Sequence, residues 1–127
     1  MVKPRPGIEV LEDMAGDGEE IQRHHFYRMS LRMWLNKGEP VCWQSPWGGV
    51  SNAVLEDEGR ALVTDVRIDR VFLINGLFYG VEGMCVGGTR RLRISPQLGY
   101  GEKGIPGVIP PNSVLTAEIT ILAERDC

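Results

Sequence analysis

Only a few side chains in this chain of 127 residues could carry chemistry. His24 and His25 are its two histidines. Neighbours on a strand point to opposite faces, so the pair does not converge on one metal ion, and no third ligand lies near it in sequence. Cys42, Cys85 and Cys127 are widely spaced and form no C-x-x-C pair, so neither a zinc knuckle nor a thioredoxin-type redox motif is present. Neither Cys42 nor Cys85 sits in a nucleophile motif, and hydrolase chemistry has little support. The acidic clusters "VLEDM" and "LEDEG" read as solvated turns. The glycines of "GVEGMCVGGTRR" lack the G-x-x-x-x-G-K-[ST] pattern of a phosphate loop and read as a turn. The expectation is a site with no metal and no cofactor.

One stretch is left that ordinary loop chemistry does not explain. Residues 99–115, "GYGEKGIPGVIPPNSVL", hold three prolines and four glycines, with Ile105, Val108 and Ile109 among them. A loop that only joined two strands would be short and polar. This one is long, stiffened and apolar at its centre, which suits one wall of a binding site better than a linker.

The elements that would hold such a wall follow from periodicity. "YRMSLRMWL" alternates, with Tyr27, Met29, Leu31, Met33 and Leu35 on one face and Arg28, Ser30 and Arg32 on the other, broken by Trp34. "ALVTDVRID" places Leu62, Thr64, Val66 and Ile68 on one side, and "VLTAEITIL" does the same with Leu115, Ala117, Ile119 and Ile121. "GTRRLRIS" predicts a strand with Leu92 inward and Arg91 and Arg93 outward, and "GIEVL" a shorter one. "INGLFYGVEGM" fits a short helix whose Leu77, Val81 and Met84 share a face. Gly76 and Gly80 cost such a helix roughly 1 kcal/mol each relative to alanine, so packing must hold it. "WQSPWGGVSNAVLEDEGR" is the least readable segment: an ordered loop with a short helix in "SNAVLEDE". The predicted class is α+β, an antiparallel sheet covered by one helix. Residues 1–6 form a tail and residues 7–127 a single domain with an extended loop at about 43–62.

Composition narrows the function further. A net charge of −3 gives no basic footprint for nucleic acid or an anionic membrane, and "RRLR" reads as a solvated strand face. No apolar run approaches the roughly 20 residues of a membrane helix. "MVKPRPGIEV" lacks the apolar core of a signal peptide, and free thiols fit a reducing compartment, so the expected location is cytoplasmic.

"RISPQLGYGEKGIPGVIPPNSVLTAEITIL" resembles the C-terminal half of the FKBP-type peptidyl-prolyl isomerases. That family has a strand ending in I-S/P-P, then Y-G, then P-G-x-I-P-P, then an alternating strand. "INGLFYGVEGMCVGGTRRLRI" is similar to its helix and the strand after it. The likeness is dense from about Val71 to Ala123, weaker over Gly7 to Cys42, and absent over residues 43–62. It implies a five- to six-stranded antiparallel sheet wrapped around one short helix, with a shallow apolar pocket for a proline side chain between them. By the match, Tyr100 offers its hydroxyl to a substrate carbonyl and Ile109 its backbone N–H. Leu73 and Ile74 line the floor, and Gly99, Ile105 and Val108 belong to the flap wall. Positions that are aromatic or polar in the family fall on Leu31, Val41, Cys42, Leu77 and Ala117, with Ile105 where histidine is common. The cup is therefore aliphatic unless Trp43 or Trp47 refills it. The resemblance implies isomerisation of Xaa–Pro bonds in peptides or unfolded chains, with weak activity, low affinity for macrolide ligands and no cofactor. The alternative is a non-catalytic FKBP-like chaperone or protein-interaction module.

Overall fold

The alternation over residues 26–34 becomes strand β2 (Phe26–Trp34), with Tyr27, Met29 and Met33 buried and the arginines turned outward. A computed structural model describes residues 6–42, 54–69 and 74–125. Besides β2 it contains strands β1 (Ile8–Met14), β3 (Val54–Glu56), β4 (Ala61–Arg67), β5 (Thr89–Ile94) and β6 (Leu115–Arg125), and helix α1 (Asn75–Gly80). The six strands form one antiparallel sheet in the order β1-β5-β6-β2-β4-β3.

The core lies on the helix side of the sheet. Leu62, Val66 and Ile68 bury from the β4 side, and Leu115, Ala117, Ile119 and Ile121 from β6, as their period of two requires. Leu77, Val81 and Met84 are buried together, although α1 itself stops at Gly80. The Val81 N–H caps that end on the carbonyls of Leu77 and Tyr79. Two glycines let the helix sit this low. A Cβ on Gly76 would lie 2.5 Å from Ile94 Cγ2 and 2.9 Å from the Leu98 carbonyl oxygen, and one on Gly80 would lie 2.3 Å from Leu92 Cδ1.

The outward face is held in register by charge. Arg91 stands opposite Glu118 with 3.2 Å between them, and Arg93 opposite Glu9 at 3.1 Å. Arg28 pairs with Asp65 across β2 and β4 at 2.9 Å. Trp34, which breaks the polar face of β2, lies under the Arg91 guanidinium, 5.0 Å from ring centre to cation.

Three local expectations change. Residues 54–59 form no helix: Val54–Glu56 is an edge strand paired with β4, and Asp57–Gly59 is a single 3-10 turn. The apolar Val54 and Leu55 pair across to Val63 and Leu62, which rewards an extended chain more than a lone helical turn. The extended loop therefore gives way to strand and turn from residue 54, and residues 43–53, with Trp43 and Trp47, lie outside the described residues. His24 and His25 are not on a strand. They sit in the turn before β2, His24 with φ of 71°, and His25 Nδ1 lies 3.0 Å from Glu124 Oε2. The third change is Arg90, which faces inward on β5 and is 2% exposed. Among the described residues no helix is long and apolar enough to cross a membrane.

Candidate active site

The flap builds itself out of backbone bonds. After β5 the chain makes a 3-10 turn at Pro96–Leu98, and the Gly99 and Gly101 N–H groups both donate to the Pro96 carbonyl. Gly104 then donates to the Tyr100 carbonyl at 3.0 Å. From there Ile105 and Ile109 close a miniature hairpin by exchanging both backbone hydrogen bonds, at 2.7 and 2.8 Å. Its tip is a tight turn with Pro106 fixed at the first corner and Gly107 at φ of 76°, closed by Val108 N–H on the Ile105 carbonyl. Gly104, at φ of 57°, has the Ile109 carbonyl only 2.3 Å from where a Cβ would stand. The Asn112 N–H then donates to the Gly101 carbonyl, tying the two legs of the flap together. Proline and glycine thus appear here as the corners of a folded wall.

That wall leans on the main core. Val41, Leu77, Ile109 and Ala117 are buried in one apolar cluster, and Leu31, Ile74, Tyr100, Ile105 and Val108 pack against it half-buried. Gly99 sits beside it, where a Cβ would touch Leu115 at 3.4 Å. Residues from β2, the segment after it, α1, the flap and β6 therefore share one apolar core. Leu73 lies outside the described residues.

Two placements correct the sequence reading. The Ile109 N–H is already donated to the Ile105 carbonyl, so it is not free for a ligand. A hairpin this tight needs that bond to close, and it takes the donor with it. Among the described residues the N–H groups of Ile74, the N-cap of α1, and of Tyr100 have no backbone acceptor. Cys42 is exposed, because Val41 beside it takes the inward position.

Tyr100 supplies the polar element. Among the described residues its hydroxyl has no hydrogen-bond partner, and burial pushes its pKa up to about 12. It is a neutral donor at any physiological pH. Among the described residues no three His, Cys, Asp or Glu side chains stand close enough to hold a metal. What the arrangement offers is an apolar surface with a small number of fixed donors.

This geometry has relatives. The chain is 42% identical over 64 residues to the peptidyl-prolyl cis-trans isomerase FPR2 of Saccharomyces cerevisiae, covering 50% of this chain and 46% of that protein. It is 47% identical over 120 residues to the FK506-binding protein 4 of Chaetomium thermophilum, covering 94% of this chain and 23% of the relative. The chain thus spans less than half the length of either protein. The crystal structure of AtFKBP13 superposes with a TM-score of 0.67 at 25% identity, over 93% of this chain and 91% of that one. The sequence pattern of one family runs through residues 50–122, from before β3 into β6, and so takes in the helix and the whole flap. With sheet order, flap and sequence pattern agreeing, the chain belongs to the FKBP-type peptidyl-prolyl cis-trans isomerase family.

Proposed function

We propose that this chain isomerises Xaa–Pro bonds of peptides or unfolded protein chains. An Xaa–Pro amide turns over a barrier of about 18–20 kcal/mol because resonance keeps it planar. Transfer out of water disfavours the charge-separated resonance form, and fixed donors stabilise the twisted geometry. In this reading the proline ring rests on the aliphatic cluster, with Leu77 beneath it and Ile105 and Val108 along the flap. The Tyr100 hydroxyl and the Ile74 N–H are the two donors. The reaction moves no proton and needs no cofactor.

The observation that carries the reading is the unpartnered Tyr100 hydroxyl, held at the foot of a self-closed apolar flap. The deciding experiment is exchange spectroscopy on Xaa–Pro peptides with and without the protein. Faster cis–trans exchange is expected, and an unchanged rate at stoichiometric protein would reject the proposal.

A second reading, a binding or chaperone module without efficient catalysis, has one observation in its favour. Val41 and Ala117 stand where the family is aromatic or polar, and both are fully buried in the core, so neither presents a ring to a ligand. Aromatic contacts contribute roughly 0.5–1.5 kcal/mol each beyond area burial. Their loss weakens substrate and transition-state binding alike, which raises KM more than it lowers kcat. Weak activity and low macrolide affinity follow. Peptide binding without any rate enhancement would favour the second reading over the first.

A further inference from the structure

We infer that Arg90 is a positioning residue for the proposed isomerase site, fixing the helix that carries Leu77 and Ile74. The inference rests on the isomerase reading above. Arg90 is almost fully buried, and its guanidinium makes two sets of bonds. One fork faces Asp13 on β1, with Nε on Oδ1 at 3.1 Å and Nη2 on Oδ2 at 3.2 Å. The other set reaches the C-terminal end of α1, where Nη1 donates to the Gly80 carbonyl at 2.8 Å and the Glu82 carbonyl at 2.7 Å.

A six-residue helix with two glycines and no side-chain cap has little intrinsic reason to keep one orientation. Three consecutive inward side chains of β5 give it one. Ile94 meets it at Gly76, Leu92 at Gly80, and Arg90 grips the carbonyls just past its end. The first two contacts set the depth of the helix on the sheet. Arg90 sets its roll and axial position, because its bonds are directional and its planar fork is locked by Asp13. Leu77 is one turn from Gly80, and the Ile74 N–H is at the other end of the same rod. A shift at the arginine end therefore tilts the floor residue and the donor together.

The test compares Arg90→Met and Arg90→Lys with wild type, with rates expressed per folded molecule and taken well below each variant's Tm. Methionine keeps the stem without burying a charge. It is expected to lower kcat/KM on the order of ten-fold, mainly in kcat, and to displace the amide resonances of Gly76 and Leu77. Lysine still reaches the helix carbonyls but cannot fork to Asp13, and its rate is expected to recover to roughly two- to five-fold below wild type. An Arg90→Met protein with lower Tm but kcat and KM within about two-fold of wild type would make the residue a structural clasp alone, and the inference would fall. If Arg90→Met does not fold, Arg90→Lys decides: wild-type kinetics and unmoved resonances overturn the inference. Absence of isomerase activity in wild type would sink the isomerase reading and this inference together, whereas an active wild type with an unaffected variant would sink only this one.

Discussion

Tyr100 and Ile109 are both donors by resemblance to the family, and the structure treats them differently for a physical reason. A hydroxyl on a flexible side chain can stay unpaired at a surface that a ligand covers, while a backbone N–H in a tight hairpin is consumed by the hairpin. The Ile105–Ile109 exchange does that here, which leaves the Ile74 N–H as the backbone donor of the proposed mechanism. No periodicity or composition in the sequence could reveal this, since it depends on which way each amide points. Replacing Tyr100 by phenylalanine is expected to slow exchange by about 1 kcal/mol, the usual net value of one hydrogen bond. The rate should also be flat from roughly pH 6 to 8, because a phenol shifted to about 12 keeps its proton throughout. Total loss of activity in Tyr100→Phe, or a steep pH profile, would show that the donor has another role. Arg90 is the residue the sequence hid most completely. "RRLR" reads as a solvated face, and for Arg91 and Arg93 the reading holds, but the alternation that turns Leu92 inward also turns Arg90 inward.

Strands β2 and β6 were legible because each repeats apolar residues every second position, and β4 and β5 because their alternation is broken inward only by Thr64 and Arg90. Strand β3, three residues long, offers too few repeats for any period to register, and its leucine and glutamate are good helix formers held in an extended segment. Its partner β4 decides the matter. Helix α1 was legible in place but not in cause, since the glycines that weaken it are the ones that seat it. Gly76→Ala separates the two effects. Propensity alone would stabilise the helix by about 1 kcal/mol, while overpacking against Ile94 and a backbone carbonyl costs about 1–3 kcal/mol. A net loss of stability is expected in urea melts, and a gain would mean that the helix has room to rise. In the flap, Gly104→Ala meets both a left-handed backbone and a carbonyl 2.3 Å away. It is expected to loosen the hairpin and raise KM with a smaller effect on Tm, as measured by peptide titration and thermal melting.

Across the whole molecule, charge and burial set opposite limits on stability. Arg28, by hydrogen bonding, holds the Asp65 carboxyl below its usual range despite some burial, and Arg32 does the same for Asp57. A depressed carboxylate stabilises the fold above its unfolded value near 3.8 and loses that contribution as pH falls below it. Tyr27 and Tyr100 are shifted upward, chiefly by burial. Their contribution is complete below the unfolded value of 10.0 and is lost as pH rises above it, for Tyr100 toward about 12. Thermal melts from pH 2 to 12 should therefore show a plateau that falls below about pH 4 and again above about pH 10. A loss of stability between those limits, in the middle of the plateau, would contradict this assignment to Asp57, Asp65, Tyr27 and Tyr100. The order β1-β5-β6-β2-β4-β3 has a further consequence, for the moment of synthesis. Strand β6 is made last of the six yet lies between β5 and β2. Until residues 115–125 leave the ribosome, β1 with β5 and β2 with β4 and β3 are two separate ribbons with open inner edges. Such pairing across long sequence distance folds slowly, in milliseconds to seconds. The nascent chain would thus spend its synthesis as an unfinished sheet, completed in a single late event when its central strand arrives.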